Sequence, residues 1–156
     1  MKTFHSYAEL RDCAGQEVAV TDWVTVTQAQ INLFAEATGD HQWIHVDPEK
    51  AAQGPFGTPI AHGFLSLSLL PLFFQQAVHI EGATMGVNYG LNKVRFPAPV
   101  PVGSCVRARV GVQSVEPVGP DSVQITWLVT VEREGGGKPV CVAESLSRSY
   151  GAAMEA

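Results

Sequence analysis

Hydrophobic and polar positions change their rhythm near the middle of the chain. In the first half, Glu17–Thr27 (EVAVTDWVTVT) is rich in β-branched residues and predicts a strand. Thr27 then stands where an N-cap belongs; Ile31, Phe34, Ala35 and Thr38 follow at helical spacing, and Gly39 is a natural stop. From Asp40 to Pro59 the Gly, Pro and Asp punctuation predicts a loop with one helical turn that begins at Asp47-Pro48. No charged residue lies between Lys50 and Glu81, and HGFLSLSLLPLFFQQAV (62–78) is apolar on almost every side if helical. Such a helix belongs in the middle of a fold, kinked or weakened at Pro71 and irregular toward its far end.

Beyond Val87 the period drops to two. Four long strands are predicted: Val87–Phe96, Ser104–Val115, Asp121–Glu134 and Pro139–Tyr150. Val106, Ala108, Val110 and Val112 alternate with Arg107, Arg109 and Gly111, and Val123, Ile125, Trp127, Val129 and Val131 with polar neighbours, so one face is buried. The breaks PAPVPVG, EPVGP and EGGGKP suit antiparallel neighbours, which predicts a β-meander. A long apolar helix and a long antiparallel sheet must bury each other, giving an α+β arrangement with a curved sheet around a helix. No internal repeat is visible, and 156 residues are one domain's worth of chain, read as a single unit over 1–156.

Composition narrows the function. Apolar residues make up 46% and charged residues 16%, so some apolar surface is expected to be hidden in a partner subunit. Ten Lys+Arg against fifteen Asp+Glu give a net charge of −5, which removes the attraction that non-specific nucleic-acid binding needs. Cys13, Cys105 and Cys141 show no metal-ligand spacing and read as small apolar residues in a reducing compartment. No signal peptide or membrane-spanning run is seen, so a cytoplasmic location without membrane attachment is expected.

The chemistry concentrates in Gly39-Asp40-His41-Gln42-Trp43-Ile44-His45 and in Ile60-Ala61-His62-Gly63. Asp40 and His45, five residues apart on a glycine-started loop, can share a water between carboxylate and imidazole, a pair suited to acid–base work. The unpaired N–H groups of a helix starting at Gly63 can hold an oxyanion, and glycine permits close approach of a carbonyl. Taken singly, each residue has a plainer reading: Asp40 satisfying loop N–H groups, Asp47 capping a helix, His62 bracing its turn, Trp43 anchoring the loop, and Lys93, Arg95, Arg107 and Arg109 forming a solvated face.

GDHQWIHVDPEKAA followed by GTPIAHGFLSLSLL resembles the MaoC-like (R)-specific enoyl-CoA hydratases, in particular their nodulation protein N-like branch, and NYGLNKVRFPAPVPVGS resembles that branch's strand after the central helix. The family pattern is Gly-Asp, one residue, Asn-Pro, an aliphatic residue and His. Gly39, Asp40, Ile44 and His45 match it, while Gln42-Trp43 replace Asn-Pro.

The resemblance implies a hot-dog fold, a homodimer, and addition of water to C3 of a trans-2-enoyl thioester. Asp40 and His45 would hold the water, Asp40 would deliver a proton to C2, and Gly63, with His62 beside it, would meet the thioester carbonyl. Some relatives add a serine from the central helix; Pro71 stands near that position, with Ser66 and Ser68 earlier, so the role stays unassigned. The chemistry needs a base, an acid and an electrophile but no metal or redox cofactor; coenzyme A or a carrier-bound pantetheine is part of the substrate. A thioesterase on the same fold and a non-catalytic acyl-thioester-binding dimer are the alternatives.

Overall fold

The computed structural model describes residues 1–151. The amino-terminal residues, whose polar character suggests no element, form β1 (Lys2–Phe4) and α1 (Tyr7–Arg11), with the Ser6 hydroxyl capping α1 at the Glu9 N–H. Phe4, Tyr7 and Leu10 are all fully buried, so this short segment is a plug in the core. The β-branched run predicted as one strand is two, β2 (Gln16–Val20) and β3 (Val24–Thr25). Thr21 makes the break: its N–H donates to Ala108 O and its hydroxyl accepts the Ala108 N–H, each at 2.9 Å.

α2 (Gln28–Thr38) begins in a reciprocal capping box between Thr27 and Gln30 and ends at Gly39, whose φ of 79° is the left-handed conformation glycine tolerates. Two short helices follow, α3 (Trp43–Val46) and α4 (Pro48–Ala52); the second is the expected turn, with Asp47 capping at the Lys50 N–H (3.0 Å).

The central apolar segment is a helix pair, α5 (Gly63–Ser68) and α6 (Leu70–Ala77), and not one helix with an irregular far end. The break lies at Leu69, whose N–H is shared between Leu65 O (3.2 Å) and Ser66 O (3.4 Å). Pro71 sits in the first turn of α6, where its missing N–H costs least. Leu65, Leu70, Phe73 and Ala77 are buried, but Phe64 is 67% and Leu72 39% exposed, so the chain covers one face of the pair and leaves another open.

After β4 (Val78–Ile80), which pairs in parallel with β1, come β5 (Met85–Arg95), β6 (Cys105–Gly119), β7 (Ser122–Arg133) and β8 (Cys141–Tyr150). The antiparallel sheet has the order β2-β6-β7-β8-β5, with β3 also on β6. β6, β7 and β8 form the expected meander, but β5 does not neighbour β6; it pairs with β8 at the far edge. The reason lies in the connection after Arg95, which is no hairpin: Val100 O accepts the Ala61 N–H and the Val102 N–H donates to Pro59 O, both at 2.8 Å. That segment is spent on holding the residues ahead of α5.

The alternation in β6 and β7 places Val106, Ala108, Val110, Val112, Val123, Ile125, Trp127, Val129 and Val131 in the core against α6. The helix laid on a curved antiparallel sheet is the hot-dog arrangement. Two ring groups that enter this core are matched: Tyr7 donates to Ser149 Oγ (2.8 Å) and Trp127 Nε1 to Ser147 Oγ (2.9 Å). Burial pushes the Cys141 thiol up to about 11, in keeping with an inert apolar filler. Among the described residues no helix is long and apolar enough to cross a membrane.

Phe73 is fully buried between α6 and the sheet. Phe73→Ala should cost about 3–5 kcal/mol of unfolding free energy, measured by urea denaturation at constant slope, whereas Leu72→Ala on the open side should cost far less.

Candidate active site

Three segments meet at the amino end of α5. The first is the turn after α2, where Gly39 reverses the chain and Asp40 follows. Asp40 Oδ1 accepts the Gln42 N–H at 3.3 Å, so the carboxylate does cap its own loop, yet its side chain stays 52% exposed. The second segment is α3, which carries His45 into the interior. Trp43 occupies its first position in place of the family's proline, and the helix starts there all the same, because a first-turn N–H needs no helical carbonyl. The Trp43 ring lies against Gly54, where a Cβ would come within 2.8 Å of it, and under the Lys50 ammonium at 5.0 Å. Trp43 thus ties α3 to α4.

The third segment is Ile60-Ala61-His62-Gly63. His45 Nδ1 lies 2.6 Å from Ile60 O; a carbonyl only accepts, so Nδ1 carries the proton and the neutral ring keeps its lone pair on Nε2. Burial, the largest influence, pushes the His45 pKa below its ordinary value of 6.5, against the opposing effect of the Ile60 bond. His62 is only 2% exposed; its Nε2–H donates to the backbone carbonyl of Asp40 at 2.9 Å, and the carboxylate Oδ2 is 4.0 Å away. The two imidazoles stack with centroids 3.9 Å apart and planes 26° from parallel.

One side-chain heteroatom from each of Asp40, His45 and His62 falls within 4.8 Å of the others. A water that accepts or donates two hydrogen bonds of about 2.8 Å at a tetrahedral angle spans about 4.6 Å, so the spacing suits a shared water. It suits a tetrahedral cation poorly, since lone pairs lie in the ring planes and two near-parallel planes do not meet on one ion.

A cavity of about 310 Å³ opens beside this cluster, lined by His45, Phe56, Gly63, Ser66, Phe96 and Val140 among others. A Cβ on residue 63 would stand 2.8 Å from Phe96 Cδ2, so glycine is required for the ring to lie over the start of α5. Larger hollows of about 440 and 400 Å³ lie further along the helix pair against β5 and β8, away from the imidazoles. Asp40, His45, His62 and Gly63, singled out in the sequence, come together; His41 turns outward toward Glu36, and His5 pairs with Glu81 at the surface. Ser66, left without a role, faces the cavity and is 4% exposed. Its spacing of three from Gly63, one helical turn on, is the signal that places it there.

A family model described as MaoC like domain matches residues 10–133. The chain is 60% identical over 148 residues to 3-hydroxyacyl-thioester dehydratase Z of Mycobacterium tuberculosis, spanning 95% of this chain and 98% of that protein. It is 47% identical over 140 residues to nodulation protein N of Rhizobium leguminosarum, spanning 88% and 87%. Among solved structures, the unliganded R-hydratase of Pseudomonas aeruginosa is 26% identical with a TM-score of 0.70 and coverage of 95% and 86%. The family match over most of the chain and the likeness to relatives along nearly its whole length agree, and the chain belongs to the MaoC-like dehydratase family.

Proposed function

We propose that this protein catalyses the reversible hydration of trans-2-enoyl-CoA to (R)-3-hydroxyacyl-CoA, which is the dehydration of a 3-hydroxyacyl thioester in the other direction. The observation that carries this reading is the convergence of an accessible carboxylate, Asp40, with a buried neutral imidazole, His45, whose tautomer the Ile60 carbonyl fixes. The names of the relatives, a 3-hydroxyacyl-thioester dehydratase and an R-hydratase, support it, the second also the (R) outcome. Water stands between the two side chains. Its oxygen bonds to C3 while Asp40 takes one of its protons and passes that proton to C2, so the enzyme returns to its starting state. His45 Nε2 accepts a hydrogen bond from the other O–H and holds the water for attack. The Gly63 N–H meets the thioester oxygen as enolate character develops there. Coenzyme A enters as part of the substrate, and the reading asks for no further cofactor.

A second copy of the chain completes this reading. Among the described residues β5 is an edge strand, unpaired on its outer side, with Met85, Val87, Tyr89 and Leu91 each 45% exposed or more, an apolar template for another strand. The open side of the helix pair, at Phe64 and Leu72, adds further apolar surface. A homodimer through β5 should sediment at twice 16.7 kDa, and Tyr89→Lys with Leu91→Lys should return it to the single-chain mass without unfolding it.

Purified protein given crotonyl-CoA and a longer trans-2-enoyl-CoA should remove the enoyl-thioester absorbance, leave the thioester intact and yield the (R)-3-hydroxy product by chiral analysis. Release of free thiol would indicate a thioesterase, and no turnover of either substrate would indicate a binder. Asp40→Asn should lower kcat by about 10²–10⁴-fold with an unchanged circular dichroism spectrum. Since the neutral imidazole is the working form, kcat/KM should fall as the pH drops, with a midpoint below 6.5 because burial disfavours the imidazolium. A midpoint at or above 6.5 would show that burial does not dominate the titration of His45.

A further inference from the structure

Asp40 is weakly fastened by its own surroundings. Its N–H reaches the Thr38 hydroxyl at 3.5 Å and its Oδ1 takes the Gln42 N–H at 3.3 Å, both two residues away and both long. Among the described residues, its one hydrogen bond across the chain is the one that its carbonyl accepts from His62 Nε2–H at 2.9 Å, twenty-two residues on. His45 hangs from the same place, because Ile60 O holds its Nδ1 and the His62 ring stacks on its face. The segment 60–62 is itself held by the 2.8 Å bond from Ala61 to Val100 and by the Ile60 N–H on Ile44 O at 3.0 Å.

Resting on the hydratase reading above, we propose that His62 is a positioning residue: one buried ring fixes the Asp40 backbone through Nε2–H and the His45 plane through stacking, and so sets the two groups relative to each other. The chemistry of the ring agrees with this role. With its proton on Nε2, the lone pair of His62 is on Nδ1, and that nitrogen is buried without a partner. Phenylalanine would fill the same space without the orphaned Nδ1 but would leave the Asp40 carbonyl without its donor, so what the imidazole adds over a plain aromatic filler is the Nε2–H. The titratable groups facing His45 are Asp40, after α2, and His62, ahead of α5; Phe34, which leans on His62 at 4.9 Å, and Phe56, Ser66, Phe96 and Val140 around the cavity do not titrate at ordinary pH. Two stacked imidazoles resist both being charged, so His62 also favours the neutral His45.

Three variants separate positioning from filling. His62→Phe keeps the ring stack and loses the donor, His62→Gln keeps a donor near the Nε2 position and loses the stack, and Phe34→Leu loosens the same pocket while leaving both. The first readout is the ¹⁵N NMR spectrum of the His45 side chain across a pH titration, which needs no substrate. In the parent protein His45 is expected to be protonated at Nδ1 when neutral. His62→Gln should move its titration midpoint upward toward 6.5, and Phe34→Leu should leave it in place. The second readout is turnover of crotonyl-CoA, where His62→Phe should lower kcat by about 10–100-fold, the size expected for misplacing a reacting group by about 1 Å, with KM within about twofold and partial recovery in His62→Gln. An unmoved His45 titration in His62→Gln, or a kcat loss that merely follows the folded fraction and is matched by Phe34→Leu, would overturn the proposal. A parent protein that hydrates no enoyl-CoA while the titrations behave as expected would instead overturn the hydratase reading and leave the positioning of His45 by His62 standing.

Discussion

The docking of α5 and α6 on the inner face of the sheet sets where everything else can be. Each large apolar side chain that the pair buries, such as Leu65, Leu70 and Phe73, contributes roughly 1.5–3 kcal/mol. A typical hydrogen bond in the site contributes about 0.5–1.5 kcal/mol net. The apolar contacts therefore decide where α5 begins, and the polar contacts adjust to that decision. Residues 59–61, just ahead of α5, are bonded to 100–102, and this strip is the shelf from which His45 and Asp40 are suspended. A carboxylate and an imidazole on a mobile loop would sample many separations; two anchors on the shelf narrow that range by fixing the Asp40 backbone and the His45 ring.

Much of this was legible in the sequence where local rules and tertiary demands agree. β6 and β7 read clearly because a sheet buried on one face imposes a period of two, and α2 because Thr27, Gln30 and Gly39 satisfy its ends. The amino terminus was not legible, since two short pieces with few apolar residues show no period, and only the structure reveals that Phe4, Tyr7 and Leu10 fill the core. The place of β5 was likewise hidden. Alternation tells which side of a strand is buried and says nothing about which strand is its neighbour, and PAPVPVG reads as a turn although it pairs with the shelf. Pro71 pointed to a break in the central helix but not to its position, because a proline is accommodated best in the first turn of a new helix, which moves the break ahead of it.

The site divides in the same way. Asp40, His45 and Gly63 were found from residue types and spacing, and the geometry brings them together. What spacing could not give is the protonation pattern. The tautomer of His45 is set by the Ile60 carbonyl, and the orientation of His62 by the carbonyl of Asp40. Both acceptors belong to the backbone, which every residue carries, so no side-chain pattern announces them. The replacement of Asn-Pro by Gln42-Trp43 is informative for the same reason. The loop needs a helix start at residue 43 and a side chain that fastens it, and tryptophan meets both needs by packing on Gly54.

The contrast in environment between Asp40 and His45 follows from their anchors. Asp40 is held by its backbone, which leaves the carboxylate free and half exposed to the solvent from which a water must come. His45 is held by its ring, which draws the imidazole inward, away from solvent, and keeps it uncharged. Exchanging those attachments would bury the carboxylate, which disfavours its charged form, and would expose the imidazole, which removes the burial that keeps it neutral. Fastening one partner by the main chain and the other by the side chain keeps an accessible carboxylate beside a neutral acceptor, the combination that the proposed addition of water asks for.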